Sequence, residues 1–214
     1  MNRVLILLVM VSVAAGAVRA QQIVDQILAL VNNEIITKTD LLWSLALEPS
    51  APSPAGEISS DILRRKLDVM IDERLVAQEA ARLPGAEVSE EEIDRKRAQL
   101  IGRFKSEAEF RQRIESVGLT PERLDQLLRE RILIDRFIEF RFKSFVFVSE
   151  DEIKRFYDNV IVPEVRAQGA VPPPIDKLRE GIVERIRQEK INDEIDRWLI
   201  DARQRAEIVH LAEP

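Results

Sequence analysis

The chain has 214 residues, with 32 Lys and Arg against 38 Asp and Glu, one histidine and no cysteine. A net charge of −6 without a basic block argues against a nucleic-acid partner, because phosphate contacts need clustered Lys and Arg. The lack of cysteine excludes thiol catalysis, thiolate metal sites and a lipidated cysteine.

Arg3 precedes an apolar run from Val4 to Val13 interrupted only by Ser12, and Ala17-Val18-Arg19-Ala20 has the small-x-small form a signal peptidase accepts. That layout is a secretory signal peptide over residues 1–20, cleaved near Ala20 and Gln21. The apolar run to Val18 is shorter than the roughly 20 residues of a membrane span. No later stretch approaches that length, so no membrane insertion is expected of the mature chain. Taking 20 residues from 214 leaves 194, enough for one or two domains with a real core. Arg3 and Arg19 leave with the signal, which deepens the charge from −6 to −8.

Gln26 to Val31 reads as a strand and Ile35 to Thr37 as a second, with Asn32-Asn33-Glu34 as the turn, since Asn tolerates left-handed backbone angles. A short helix starts near Thr39-Asp40. Pro49 to Ser60 holds three prolines, four serines and a glycine, and is a loop. From Asp61 to Leu83 apolar residues recur at three- and four-residue steps (Ile62, Leu63, Leu67, Met70, Ile71, Leu75, Val76), the period of an amphipathic helix. Pro84-Gly85 stops it. Ser89 with Glu92 and Ser149 with Glu152 are two capping boxes. Ser106 and Thr120-Pro121 mark further helix starts, with Gly118 ending the helix before Thr120. Acid–base pairs four apart, such as Asp61/Arg65, Glu91/Arg95 and Glu109/Arg113, favour helix.

Phe145 to Val148 is a short extended or buried run. Val160 to Pro174 is an irregular connector ending in three prolines. A last long helix runs from Ile175 to about Arg205, and a strand from Glu207 to Leu211 follows. That strand needs a partner, and the N-terminal hairpin is the obvious one. The expectation is a mainly α fold with a small antiparallel sheet joining both ends of the mature chain. It forms a single domain over residues 21–214, divided into hairpin and helices (21–158), connector (159–174) and long helix with strand (175–214).

Little in the sequence points to catalysis. The seven glycines never come closer than Gly169 and Gly181, so no glycine-rich phosphate loop exists. His210 is the only histidine and sits in the last strand, away from any nucleophile-elbow serine. The carboxylates at Glu90–Glu92 and Glu150–Glu152 suit helix N-termini and lack a calcium-loop pattern. No metal and no cofactor are expected. Within Ile132 to Phe142, seven of eleven residues are apolar and spread nearly all round the helix. Either this helix is buried on several sides, or one face packs inward and a second is offered to a client. Phe137 and Phe140 are the candidates for such a contact, with Trp43 and Phe104 besides.

Val24 to Thr37 with Asp40-Leu41 resembles the opening of SurA-type periplasmic chaperones. Leu67-Asp68, Ile71 to Ala80 and Val88 to Asp94 are similar to the family's next helices. Phe110, Gly118-Leu119-Thr120 and Ile132-Leu133-Ile134 fit the following pair, and Val183 to Lys190 with Trp198-Leu199 the C-terminal helix. Many family members carry parvulin-type prolyl isomerase domains before that last helix. Here the space holds about 15 residues, below the ~40 at which a domain folds unaided. The resemblance therefore implies the chaperone core without the isomerase: an ATP-independent periplasmic holdase, not an enzyme, for unfolded outer-membrane or secreted polypeptides. The alternatives are an isomerase-related enzyme, or an assembly module for a dedicated partner, with a homodimer through the last helix as one form of it.

Overall fold

The computed structural model describes residues 25–83 and 87–214. The signal-peptide expectation and the Pro84-Gly85 stop lie outside the described residues. Strands β1 (Ile27–Val31) and β2 (Glu34–Thr37) pair antiparallel, and β3 (Ile208–His210) pairs antiparallel with the other edge of β1, giving the order β2-β1-β3. The two ends of the described chain thus share one sheet. Asn32 turns the hairpin with φ 57°, a conformation whose Cβ penalty a short polar side chain offsets by local hydrogen bonding. Its N–H donates to the Glu207 carbonyl (2.7 Å) and its Oδ1 accepts from the Glu207 N–H (3.0 Å), which locks β3 to the turn.

The helices follow as α1 (Lys38–Ala46), α2 (Ser60–Ala80), α3 (Glu90–Ile101), α4 (Glu107–Ser116), α5 (Pro121–Ile138), α6 (Glu150–Phe156), α7 (Val162–Ala167) and α8 (Ile175–Arg205). Five of their starts share a cause. Thr37, Ser89, Ser106, Thr120 and Ser149 each accept a hydrogen bond from an otherwise unpaired N–H of the first turn. Thr37, Ser89 and Ser149 complete capping boxes with Asp40, Glu92 and Glu152.

The Ser89 N–H and then the Arg136 guanidinium hold Glu92 down to about 2. The Lys190 ammonium and then the Ser149 N–H hold Glu152 down to about 2. A carboxylate whose folded value is depressed contributes stability above its unfolded value, and that stability is lost as pH falls toward the folded one. Urea midpoints should therefore be flat above about pH 5 and decline between about pH 4.5 and 2. Glu92→Gln and Glu152→Gln variants should each show a shallower decline. An unchanged slope in both would contradict the assignment.

Four apolar clusters make up the core. The sheet's inner face (Leu28, Val31, Ile36) packs on α1, on the Leu67/Ile71/Leu75 stripe of α2 and on Ala202 of α8. Ile93, Phe104, Phe110, Leu119 and the first half of α5 make the second. Val76 and Ala80 of α2, Ile134 and Phe137 of α5, Phe142 and Ile191 make the third. Ile153 of α6 and Ile182 and Ile186 of α8 make the fourth. Helix α8, about 45 Å long at 1.5 Å per residue, joins the first, third and fourth clusters and is clipped to α2 by Arg203 on Asp72.

Three sequence expectations change. Residues from Val160 are not irregular throughout: helix continues from α6 through a π-turn, Tyr157–Ile161, into α7 before the chain loosens. Pro163 has no N–H to donate backwards, and the widened turn ahead of it keeps the helix going past the proline. Phe145 to Val148 forms neither a strand nor a buried run: it leaves the turn at Phe145 with Phe145 73% and Phe147 85% exposed, while Val146 and Val148 pack half-buried on the third and fourth clusters. The i,i+4 pairs differ too. Asp61 binds Arg64 and not Arg65. Glu109 accepts from the Lys105 N–H at the start of α4, while Arg113 turns inward.

Candidate functional site

Helix α2 carries two apolar stripes. Leu67, Ile71 and Leu75 are buried under the sheet, which uses up one face. Ile62, Val69, Met70 and Ala77 lie on the neighbouring face and line a groove of about 770 Å³. Across from them stand Leu127, Leu128 and Ile134 of α5 and Leu100 of α3, and Leu45, Leu47, Ala51 and Pro52 close one end. Helices α2 and α5 pack together in the third cluster through Val76, Ala80, Ile134 and Phe137, and Ile134 also lines the groove. Val69 remains 48% exposed in it, so part of the floor is wet.

Charged side chains rim this apolar floor. Lys66 pairs with Glu48 (3.1 Å) and Arg131 with Glu73 (3.0 Å), both within the lining. Such partly exposed pairs add little stability, but they keep polar groups at the mouth and leave the bottom to apolar contacts. The volume lies in the range of peptide- and ligand-sized clefts. Among the described residues no group of three His, Cys, Asp or Glu side chains could hold a metal ion. No helix among them is long and apolar enough to cross a membrane.

The end of the groove at Leu47 to Pro52 is held from behind. Arg113 is only 8% exposed, and its guanidinium donates to the carbonyls of Leu45 (2.8 Å), Ala46 (3.1 Å), Glu48 (3.1 Å), Ala51 (3.2 Å) and Pro52 (3.3 Å). These are the last carbonyls of α1 and the loop after it. A helix end leaves such carbonyls without intrahelical partners and carries the negative end of the dipole.

The structure does not bring the four aromatic candidates together, and none of them lines the groove. Phe104 is 7% exposed, edge-on to Phe110 at 5.2 Å in the second cluster. Phe137 is 6% exposed, in the third cluster against Phe142 and Trp198. Both are core side chains, packed inside the molecule and not offered at its surface. Trp43 is half-buried; its Nε1–H donates to the Val117 carbonyl (3.1 Å), and the Arg123 guanidinium stacks on its ring at 5.2 Å. Phe140 alone is open, at 59% exposure, and it begins a run with the exposed Phe145 and Phe147.

With the groove and its surroundings placed, comparison with known proteins identifies the lineage. The model of the SurA-like N-terminal domain matches residues 1–138. The chain belongs to the SurA-like N-terminal domain family. Chaperone SurA of Ralstonia nicotianae is 32% identical over 149 residues, 68% of this chain and 30% of that protein. Chaperone SurA of Cupriavidus metallidurans is 30% identical over 159 residues, 72% of this chain and 31% of its own length. The chain thus matches less than a third of the length of these SurA relatives. Helices α2, α3 and α5, which form most of the groove, lie inside the family match, and α8 lies beyond it.

Residue patterning missed the groove but carried a trace of it. The apolar positions of α2 form a stripe wider than one contact needs, with Ile62 and Met70 beside Leu63, Leu67 and Ile71. A helix that packs on one side only would not require the extra row.

Proposed function

We propose that the protein is a periplasmic chaperone that acts by holding, without ATP and without chemical turnover, binding unfolded outer-membrane or secreted polypeptides. The groove of about 770 Å³ with an apolar floor and a charged rim carries this reading. Membership of the SurA-like family and the name of its relatives, Chaperone SurA, support it. Extended segments of a client would lay apolar side chains along Val69, Met70 and Leu127. The exposed rings of Phe140, Phe145 and Phe147 would offer a second contact, and two weak contacts on one client chain combine through effective concentration.

The test is aggregation of an unfolded outer-membrane β-barrel protein, followed by light scattering with the chain from Gln21 onward and no ATP. Suppression near stoichiometric amounts is expected. Val69→Asp puts a charge on the floor at a half-open position. It should weaken client binding about tenfold, equivalent to about 1.4 kcal/mol, while folding stability shifts by no more than about 0.5 kcal/mol. Phe140→Ser should weaken suppression less. If the wild-type chain leaves scattering unchanged, the holding function is wrong.

A further inference from the structure

The groove's charge runs against that of the whole chain. The protein is acidic, with a net charge of −6, yet the lining holds the cations Arg65, Lys66, Arg74, Lys96, Arg103 and Arg131 against four acids. Four of those cations are already engaged. Lys66 binds Glu48, Arg74 binds Glu34 (2.9 Å), Lys96 binds Asp135, and Arg131 binds Glu73. Arg65 of α2 and Arg103, just past the end of α3, form no ion pair among the described residues, and both are exposed. On the acidic side Asp40 is engaged by Arg123 (3.3 Å), and Glu130 is the one lining acid without a pair among the described residues. The surplus is two free guanidiniums against one free carboxylate, beside an apolar floor.

We infer that the groove selects extended segments in which Asp or Glu side chains flank apolar residues, with Arg65 and Arg103 as the groups that read the carboxylates. A guanidinium fits a carboxylate through two parallel N–H···O bonds. An apolar floor beside it gives the neighbouring side chains somewhere to go. This rests on the groove being the client site. It also predicts an order that general electrostatics would reverse: a net-negative protein attracts basic peptides and repels acidic ones at range. A preference for acid can therefore come only from local cations.

The experiment is fluorescence anisotropy with the chain from Gln21 onward and three peptides of one apolar sequence, carrying paired Glu, Gln or Lys residues. All are acetylated and amidated, so that no chain-end carboxylate is present. The Glu peptide should bind about threefold to tenfold more tightly than the Gln peptide at low salt, with the Lys peptide weakest. The Glu-to-Gln ratio should shrink as salt rises toward about 0.5 M. In the double variant Arg65→Gln, Arg103→Gln it should fall to about one. Equal binding of the three peptides, or a ratio that survives in the double variant, overturns this inference and leaves the holding function standing. If instead only a fourth peptide, the Gln sequence made with a free C-terminal carboxyl, binds more tightly, the inference is overturned as well, because the groove would then read chain ends. Failure of every peptide to bind overturns both.

Discussion

Arg113→Met should lower the unfolding free energy by about 3 kcal/mol, the scale expected when several hydrogen bonds from a charged donor are lost and buried carbonyls are left unpaired. Five carbonyls converge on this guanidinium, from Leu45, Ala46, Glu48, Ala51 and Pro52. No carboxylate pairs with it among the described residues, so the negative end of α1 and the carbonyl dipoles of the loop supply its counter-charge. Methionine fills a similar length but donates nothing. Lysine keeps the charge as a compact ammonium without the planar fork, reaches fewer of the five oxygens, and should cost about half as much. Because Leu47, Ala51 and Pro52 belong to the groove, both variants should also loosen its end, seen as amide exchange faster than in wild type at Leu47, Glu48, Ser50 and Ala51. Urea unfolding monitored by circular dichroism measures the first effect. A Met variant within about 0.5 kcal/mol of wild type would mean that solvent replaces the guanidinium without cost.

That arginine also shows where sequence reading stops. From its spacing, Arg113 pairs with Glu109 one turn earlier, the rule for a solvated helix face. Nothing local shows that α1 ends directly behind it, 67 residues away in sequence. Four of the helix starts, by contrast, are legible, because Ser89, Ser106, Thr120 and Ser149 act on N–H groups within three residues of themselves. The joining of the two ends of the described chain is legible for a different reason: a lone strand such as β3 must find an edge, and β1 has one to give. The fold class follows from these. The groove does not, since it is defined by which faces of α2 and α5 fail to touch. The burial of Phe104 and Phe137 and the exposure of Phe140 are hidden on the same ground. Their residue type says that they bury area well, and only the packing says whether the area belongs to the interior.

Phe137 and Phe140 make the point measurable. Phe137→Ala should cost about 3–5 kcal/mol, the range for removing a buried aromatic side chain, and Phe140→Ala no more than about 0.5 kcal/mol. Three residues apart on an α-helix, the two would share a face. Here the helix is wound as a π-turn from Glu139 to Lys143, closed by the Ser144 N–H on the Glu139 carbonyl (3.1 Å). The i to i+5 spacing of such a turn brings Phe142, not Phe140, onto Phe137, with ring centroids 5.9 Å apart, and Trp198 of α8 closes the set at 5.7 Å. Phe140 is left facing outward. A thermal melt of the two single variants separates them: a large drop in Tm for Phe137→Ala and almost none for Phe140→Ala. Equal losses would mean that the widened turn is absent and that both rings are packed. The difference decides how a loss of client binding is read. In a Phe137 variant it reports a damaged third cluster, where α2, α5 and α8 meet. In a Phe140 variant that melts like wild type it reports a contact made with the client itself.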